Sequence, residues 1–436
     1  MATPIQPAYK SYYFGKGYRD LWATIQESWA RNIASMEKWF SQGELFFKKE
    51  AVHWLQGLFC YAAGVSVVVF GSLLFAVASL VHVIVLGATL LTIYLTFTVF
   101  YGIERVVSLY YRIFVTCPHC HLKFDIPVYA CPVCSAHHTQ LRPGVYGIFL
   151  RSCECDRKKL VTSLLTGRSR YDAFCPHCGR FIENPEVTPF CVPVIGTPNS
   201  GKTCFIYTGT EAVEHDIAPP SGWTAIPDGR TKPNLEYIRL EAAAGRHPDK
   251  TVEHTAKSFS LQVDTGARFP QMLHLYDSAG EVFTGGDSLD SHHFYGYSHG
   301  FVVIIDANAI LHGKSSSRND PEDAFVRMIN KFKVHGLDTQ PSVNRPIAVV
   351  LNKIDTPDVR AELGDAVDHP EDITCEDCVD FLNRHGFQNL LAVINLKFSN
   401  NHFFAASTLR REGRSLKPRG VEQIMRWLLD EMRFGK

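Results

Sequence analysis

The feature that most constrains this chain is an apolar run at residues 57–103 that contains no Asp, Glu, Lys or Arg. One bilayer crossing takes about 20 apolar residues, so the run is long enough for two helices. Its least apolar point is the stretch SLVH at residues 79–82. The sequence therefore predicts a two-helix transmembrane hairpin over 57–103, with crossings at about 58–78 and 83–103. A buried helix pair in a soluble core is the alternative, and the length of the run argues against it.

Basic residues on both sides of this run indicate its orientation. Lys48 and Lys49 precede it, and Arg105 and Arg112 follow it. Positive charge favours the cytosolic side of a membrane, so both ends of the hairpin are expected there. A signal peptide is disfavoured because the run starts far from residue 1 and is too long. We expect a protein of the inner (cytoplasmic) membrane, in contact with the bilayer, whose other domains lie in the cytosol.

Residues 1–56, before the hairpin, have the pattern of an amphipathic helix on the cytosolic side. Apolar side chains recur every three or four residues at Trp22, Ile25, Trp29, Ile33 and Met36. Such a helix could lie in the membrane interface or pack against a cytosolic domain, and the sequence does not decide between the two.

Closely paired cysteines follow the hairpin and predict metal binding. The chain has 13 cysteines, and those between residues 117 and 178 form four close pairs. These are Cys117 and Cys120, Cys131 and Cys134, Cys153 and Cys155, and Cys175 and Cys178. Recurring Cys-x-x-Cys pairs in a long chain are typical of metal ligands in a reducing cytosol rather than of a disulfide framework. Four thiolates fill a tetrahedral zinc site and leave no open position for catalysis.

The cysteine pattern therefore predicts two structural Zn²⁺ sites in tandem zinc-ribbon-like β modules over 115–185. The simplest pairing is sequential, with the first two pairs in one site and the last two in the other, although interleaved pairing is also compatible with the spacing. A further pair, Cys375 and Cys378, has no partner pair nearby and is interpreted as one turn at a helix start.

The stretch VIGTPNSGKTCFI at residues 194–206 matches the phosphate-binding pattern G-x-x-x-x-G-K-[ST]. An apolar, strand-like segment precedes it and a helix-compatible segment follows, as this pattern requires. In that setting backbone N–H groups surround the β-phosphate, Lys202 reaches the β- and γ-oxygens, and the Thr203 hydroxyl binds Mg²⁺. The predicted contacts in this loop are Gly196, Asn199, Ser200, Gly201, Lys202, Thr203 and Cys204.

A second apolar strand ends in YDSAGE and predicts the metal side of the same site. Asp277 is expected to hold Mg²⁺ through water, and the Gly280 amide to meet the γ-phosphate. Loss of that phosphate would then release the segment that follows, which is the behaviour of a switch.

Two further strand ends predict the base. In RPIAVVLNKIDTP an apolar strand leads to Asn352, Lys353 and Asp355. A carboxylate accepts two hydrogen bonds from guanine N1–H and the exocyclic amine, whereas adenine has no matching pair of donors, so a buried Asp355 would select GTP and GDP. The Lys353 stem can cover the base. In SNNHFFAASTL, Ala406 and Ser407 are expected beside the guanine carbonyl, and an amphipathic helix follows at about 421–432.

These four elements, in this order and each at a strand end, resemble the motifs of the translation-factor-related (TRAFAC) class of GTPases. The resemblance covers residues 190–436 and implies an α/β P-loop GTPase domain, a mostly parallel sheet with helices on both faces. The wider layout of hairpin, CPxC knuckles and GTPase domain resembles the bacterial double-GTPase (DO-GTPase) group. That group implies partner-dependent systems, and so an effector protein or partner GTPase.

The motifs that carry hydrolysis depart from this pattern. The switch-I threonine is Thr251 or Thr255, with Thr251 favoured, in a long segment that prolines and glycines are expected to break into loops. Glu281 occupies the place of a water-positioning glutamine, where its charge would repel the γ-phosphate or simply face solvent. With Lys202, Thr251 and Glu281 as the catalytic residues, we expect slow hydrolysis stimulated by a partner. His292, His293 and Arg230 are weaker candidates for the missing group.

Two other classes of function stay open at this point. One is a membrane scaffold that binds nucleotide without hydrolysing it, and the other is a zinc module for nucleic acid or protein with an accessory GTPase. Nucleic acid is the less favoured partner, because 44 basic residues balance 44 acidic ones and the zinc segment has no basic stripe. A homo-oligomer is compatible with the sequence.

Overall fold

The computed structural model describes residues 6–49, 51–244, 257–277, 293–312, 322, 325–326, 329, 343–409, 411–412 and 415–435. The chain divides into two compact units. The first consists of Met1–Val107 and Tyr129–Tyr171, and the second of Ser108–Val128 and Asp172–Lys436.

The apolar run forms one continuous helix, so the predicted hairpin over 57–103 is wrong. The helices are α1 (Lys16–Phe47), α2 (Trp54–Ser66) and α3 (Ser72–Tyr110), with a 3-10 turn at Ala51–His53 and a π-helical turn at Val67–Gly71. Residues 54–110 follow one another as a single 57-residue helix that passes through the expected turn at 79–82. That stretch contains neither Pro nor Gly, and nothing in it removes a backbone donor or favours a left-handed turn.

The chain instead reverses between α1 and α2, and α1 lies against the apolar helix. The Trp29 indole N–H donates to Ser79 Oγ at 2.9 Å, and Asn32 Nδ2 donates to Ser72 Oγ at 3.1 Å. The aromatic ring of Phe40 packs against that of Tyr61 at 5.4 Å between centroids. As the residue number rises along α1, the number of its partner in the apolar helix falls, so the two helices run antiparallel. The predicted amphipathic helix is therefore present.

A buried ion pair fixes the end of α3 within the first unit. The Glu104 carboxylate accepts from Arg168 Nη1 at 2.8 Å, and both side chains are almost fully buried. The same guanidinium donates to the carbonyl oxygens of Leu141 and Thr162 at 2.5 and 2.9 Å. Since a buried charge is costly unless it is paired and hydrogen-bonded, these contacts explain how Glu104 is accommodated directly after the apolar run.

The cysteine-rich segment is built of short antiparallel hairpins. They pair β1 (Val115–Thr116) with β2 (Lys123–Phe124), β3 (Val128–Ala130) with β4 (His137–His138), β5 (Leu150–Ser152) with β6 (Lys159–Val161), and β7 (Ala173–Phe174) with β8 (Phe181–Ile182). Short 3-10 turns occur at Leu164–Thr166 and Arg168–Arg170.

A seven-stranded mixed sheet forms the centre of the second unit. Its strands are β9 (Thr188–Gly196), β10 (Thr224–Pro227), β11 (Lys257–Asp264), β12 (Gln271–Asp277), β13 (Phe301–Asp306), β14 (Ile347–Asn352) and β15 (Asn401–Ala406). The order across the sheet is β10-β11-β12-β9-β13-β14-β15. The neighbours from β12 to β15 are parallel, whereas β10 and β11 are antiparallel. The second unit also contains a two-residue hairpin of β16 (Arg411–Glu412) and β17 (Ser415–Leu416).

Helices cover both faces of this sheet. They are α4 (Lys202–Ala212), α5 (Thr231–Ala243), α6 (Ala307–Leu311), α7 (Pro357–Leu363), α8 (Cys375–Arg384), α9 (Gln388–Lys397) and α10 (Val421–Glu431), with a π-helical turn at Val213–Ile217 and 3-10 turns at His293–Tyr295, Gly364–Asp368 and Pro370–Asp372. Alternate side chains of β13 point to opposite faces, so Val303 and Ile305 join the core with α8 and α9. Val302 and Ile304 join the core with α4 and α10.

The elements bear on three local expectations, which concern the segment before β11, the cysteine pair at 375 and 378, and the last helix. The segment before β11 is not only loops, because it contains β10 and α5. Prolines did not break it there, since Pro227 ends a strand at the sheet edge and Pro233 lies in the first turn of a helix, where no backbone donor is needed. Cys375 begins α8 behind a Thr374 capping box, as predicted. The amphipathic helix expected at 421–432 is α10.

Candidate functional site

The loop between β9 and α4 has the close backbone approaches that the two pattern glycines predict. A Cβ added at Gly196 would lie 2.5 Å from the Ile304 carbonyl oxygen. Gly201 has a φ of 97°, and its Cβ would lie 2.4 Å from Asn352 Nδ2. Both positions therefore require glycine, because a side chain would collide with backbone at one and with the Asn352 amide at the other.

Lys202, the first residue of α4, folds back over this loop. Its Nζ donates to the carbonyl oxygens of Gly196 and Thr197 at 3.1 and 2.9 Å. Burial lowers the pKa of Lys202, and the charge of Asp277 opposes that shift. Within the described residues the hydrogen bonds of this buried ammonium go to neutral carbonyl oxygens, so the ammonium is well placed to bind an anion in the same loop.

Thr203 and Asp277, the two predicted Mg²⁺ residues, lie in direct contact. The Thr203 hydroxyl donates to Asp277 Oδ2 at 2.7 Å, and Asp277 is buried at the end of β12. Hydroxyl and carboxylate oxygens are the ligands that Mg²⁺ prefers, so this donor set fits that ion. The next side chain, Cys204, is buried, and burial followed by the charge of Asp277 raises the pKa of its thiol to about 11. It is therefore a neutral packing residue at pH 7.

Asn352, at the end of β14, joins three loops of the site. Its Nδ2 donates to the Ser200 carbonyl oxygen at 2.8 Å, and its Oδ1 accepts from the Thr408 amide at 3.2 Å. Ala406 and Ser407, which precede Thr408, are buried at the end of β15. The Asn352 side chain thus joins the predicted phosphate loop and the last predicted base loop at the carboxyl ends of the parallel strands.

Asp355 and Lys353 follow Asn352, and both differ from the simplest sequence interpretation. Asp355 is exposed in the turn after β14, not buried as the argument for base selection assumed. Lys353 has a φ of 63°, and its Nζ lies 2.5 Å from Asp306 Oδ2. Sequence analysis missed Asp306, although it ends the apolar strand GFVVIIDA in the way that Asp277 ends its own strand.

Several predicted residues lie outside the part of the chain that the structure describes. They are Thr251, Thr255, Gly280, Glu281 and His292. Arg230 is described, and its guanidinium contacts Asp228 at 3.7 Å and His119 Nε2 at 3.3 Å. Asn199 lies in the loop with a φ of 64°.

The eight cysteines form two clusters, with a pairing that differs from the sequential one. Cys117 and Cys120 meet Cys175 and Cys178, while Cys131 and Cys134 meet Cys153 and Cys155. The preferred sequential pairing is therefore wrong, and one pair of knuckles encloses the other in sequence. The physical reason is packing: the outer knuckles share an apolar cluster in which Val115 and Ile182 pack beside the sulfurs.

The geometry of both clusters fits zinc. The contacts Cys117–Cys178 and Cys120–Cys175 have Sγ–Sγ distances of 3.6 and 3.7 Å. In the other cluster, Cys134–Cys153 and Cys131–Cys155 lie at 3.6 and 4.0 Å. Four sulfurs at about 2.3 Å from one ion lie about 3.8 Å apart in a tetrahedron, so each set has the right size for Zn²⁺.

The four knuckles share one backbone feature. The residue after the second cysteine of each pair is left-handed, with φ values between 53° and 70°. These residues are His121, Ser135, Asp156 and Gly179. In each knuckle the amide of that residue donates to the carbonyl oxygen of the first cysteine, at 2.8 to 3.0 Å. The turn brings two thiols of a pair to the same side and explains why the tighter pair Cys153–Cys155 also belongs to a cluster.

The knuckle at Cys117–Cys120 packs on the sheet beside the predicted nucleotide site. The His121 ring lies edge-on to Tyr276 and Phe294, at 5.4 and 5.8 Å between centroids. The Tyr297 hydroxyl donates to the His121 carbonyl oxygen at 2.8 Å, and Ser258 Oγ donates to that of Pro118 at 3.3 Å. Tyr276 directly precedes Asp277, so this knuckle touches the strand that carries the predicted Mg²⁺ ligand.

This arrangement of a predicted phosphate loop, an acidic strand end and an Asn-Lys-x-Asp turn is shared with a family of known proteins. Residues 191–370 match the family model Double-GTPase 2. The double-GTPase match spans β9 to the turn before α8, and so includes the phosphate loop, Asp277 and Asn352–Asp355. This match supports the prediction that the chain is a GTP-binding protein of the double-GTPase group. Both cysteine clusters and the loop at Ala406 lie outside the matched residues. No curated protein matches the chain.

Proposed function

We propose that this chain is a membrane-anchored guanine-nucleotide switch that binds GTP and GDP with Mg²⁺ and hydrolyses GTP slowly until a partner protein stimulates it. The observation that carries the proposal is the contact between Thr203 and Asp277 at 2.7 Å, within the residues that match the double-GTPase family. Two predicted Mg²⁺ ligands from separate motifs thus meet at the predicted phosphate loop, which is the arrangement expected of a nucleotide site.

In this proposal each motif has one task. Backbone N–H groups of the loop and the Lys202 ammonium bind the phosphates, and the Lys202 contacts with Gly196 and Thr197 are exchanged for phosphate oxygens. Thr203 and, through water, Asp277 would hold Mg²⁺, which would neutralise phosphate charge. Asp355 accepts from the guanine edge, and its exposure leaves the carboxylate free to receive a base. Thr251 and Glu281 remain the proposed switch and water-side residues.

Membrane anchoring is proposed for the helix at residues 54–110. The mean hydropathy of its most apolar window is 2.5, and no residue of that window is buried. Exposed side chains such as Phe70, Leu74 and Leu91 would meet lipid favourably. The helix is about 85 Å long, whereas the hydrocarbon layer is about 30 Å thick, so one crossing would use about 20 of its residues.

A single crossing puts Lys48 and Lys49 on the other side of the bilayer from Arg105 and Arg112, so the expectation that both flanks are cytosolic does not hold. We propose that the GTPase domain and both zinc sites lie in the cytosol, where thiols stay reduced.

A non-hydrolysing membrane scaffold is the second candidate, and Glu281 is the feature that favours it. A carboxylate in place of a water-positioning amide repels the γ-phosphate and leaves the attacking water without a donor. Such a protein would bind GTP and organise partners while producing no phosphate.

Release of inorganic phosphate from GTP separates these candidates. The full chain is assayed in vesicles and in detergent, beside Lys202→Ala and the matched control Lys158→Ala, which changes an exposed lysine of the first unit. We expect slow turnover that Lys202→Ala abolishes and Lys158→Ala preserves. GTP binding without any phosphate release favours the scaffold. The anchor would be contradicted if the chain separated from the vesicles in a flotation gradient and if alkaline carbonate extracted it from membranes.

A further inference from the structure

Asp306 lies where the phosphate loop and the base motif approach each other. It is the last residue of β13, and its register partner on the next strand is Asn352, the last residue of β14. Its side chain is only 12% exposed. The strand on its other side is β9, which leads into the phosphate loop. A carboxylate with so little exposure requires partners, and the structure supplies two.

The two oxygens of this carboxylate have different partners. Oδ1 accepts from the Ala309 amide at 3.1 Å and caps α6. Oδ2 accepts from Lys353 Nζ at 2.5 Å. Lys353 belongs to the Asn-Lys-x-Asp turn, between Asn352, which holds the phosphate loop, and Asp355, which is proposed to bind guanine.

We propose that Asp306 is a positioning residue for base recognition, and that it acts by fixing the Lys353 side chain. This inference rests on the proposed function. A free lysine side chain has four rotatable bonds, and ordering it on binding costs conformational entropy. The ion pair orders Lys353 before the nucleotide arrives, so that cost does not reduce affinity. It also keeps the ammonium from turning toward the phosphates, so the methylene stem stays available to the face of the purine.

The variant Asp306→Asn isolates the ion pair from the helix cap. Asn caps helices about as well as Asp, so its Oδ1 still accepts from the Ala309 amide. Its Nδ2 cannot accept from Lys353, so the charge pair is lost. The probe is GDP with a methylanthraniloyl label on the ribose, in the presence of Mg²⁺. We expect the Kd of the full chain to rise about 10-fold, mostly through faster release, while the melting temperature of the nucleotide-free protein stays within a few degrees of wild type.

A double-mutant cycle with Lys353→Met shows whether Asp306 acts through the lysine. Met keeps an unbranched apolar stem and removes the ammonium. In that background Asp306→Asn is expected to have less than a 2-fold further effect on the Kd, because its partner is already gone. A full 10-fold effect in the Lys353→Met background overturns the proposal, and so does wild-type affinity in the single variant Asp306→Asn.

The outcome for Asp355→Asn separates this inference from the function on which it rests. If wild type binds no labelled GDP, the proposed function fails and this inference fails with it. If wild type binds GDP, Asp355→Asn loses it and Asp306→Asn binds like wild type, only the positioning role of Asp306 fails.

Discussion

His274 is a buried side chain on β12 whose two ring nitrogens both meet hydroxyl groups. Ser260 Oγ lies 2.8 Å from Nδ1, and Thr116 Oγ1 lies 3.2 Å from Nε2. Burial lowers the pKa of His274 to about 4, with a smaller contribution from Arg230 in the same direction and an opposing one from Asp228. The imidazole is therefore neutral in the folded protein at neutral pH.

This lowered pKa predicts acid sensitivity of the second unit. The histidine has a pKa near 6.5 in the unfolded chain. Between that pH and about pH 4 the unfolded state therefore binds a proton that the folded state does not bind. The stability that His274 contributes is thus complete above about pH 6.5 and decreases as the pH falls toward 4. Between pH 7 and pH 5 the loss is about 2 kcal/mol.

The measurement is the midpoint of thermal unfolding of the full chain in detergent at pH 7 and pH 5. His274→Gln can still hydrogen-bond to both hydroxyls, and its midpoint should fall less than that of wild type over this interval. His215→Gln is the matched control, because that histidine is 61% exposed. An equal fall in wild type and His274→Gln would show that this histidine does not carry the effect.

Residues of the proposed nucleotide site could be named from the sequence where one local pattern contains them. Gly196, Gly201, Lys202 and Thr203 belong to one short pattern, and Asp277 stands at the end of an apolar strand. Asp306 was missed because its role depends on Lys353, a residue 47 positions away on the neighbouring strand. Contacts of that kind depend on strand order, which periodicity alone does not reveal.

At the scale of elements, the apolar helix shows the limit of composition as a guide. Composition correctly identified residues that are apolar and helical, but the number of crossings was inferred from length alone. The position of a reversal depends on helix breakers, and residues 79–82 contain none. The actual reversal follows Phe47, where α1 ends and a short 3-10 turn leads into α2.

The cysteine clusters show a related limit. The spacing identified all eight cysteines as candidate metal ligands, but it does not determine which knuckles share a cluster. Sequential pairing needs the shortest loops, whereas the structure pairs the first knuckle with the last around Val115 and Ile182. Tertiary packing of the flanking hairpins decided the outcome.

This pairing predicts zinc content in two double variants. In Cys117→Ser/Cys175→Ser both changes fall in one cluster, so one of two Zn²⁺ ions should remain per chain. In Cys117→Ser/Cys131→Ser each cluster loses a ligand, so after dialysis against a weak chelator neither ion should remain. The measurement is zinc per protein by mass spectrometry of the metal. Sequential pairing requires the reverse result for the two variants, and full zinc content in both would exclude these ligands.

For the whole molecule, the sequence predicted which kinds of domain are present better than it predicted where each one begins and ends. The sheet with helices on both faces is confirmed, and the segments predicted as a phosphate loop and as strand-end motifs do follow strands of that sheet. The cysteine segment, expected as tandem zinc-ribbon-like modules over 115–185, contributes one cluster to each compact unit. Its first knuckle belongs with the sheet through Pro118 and His121, a contact for which the sequence offers no signal.

Asn352–Asp355 and the phosphate loop are proposed to form a site for guanine nucleotides. In that site Asp355 would select the base, because a carboxylate accepts two hydrogen bonds from guanine whereas Asn offers an amide that matches xanthine. The most direct test is competition between GDP and xanthosine diphosphate for the full chain, measured for wild type and Asp355→Asn. We predict that wild type prefers GDP and that Asp355→Asn prefers xanthosine diphosphate, each by at least about 10-fold, which corresponds to 1.4 kcal/mol. Unchanged preference for GDP in Asp355→Asn would contradict the account.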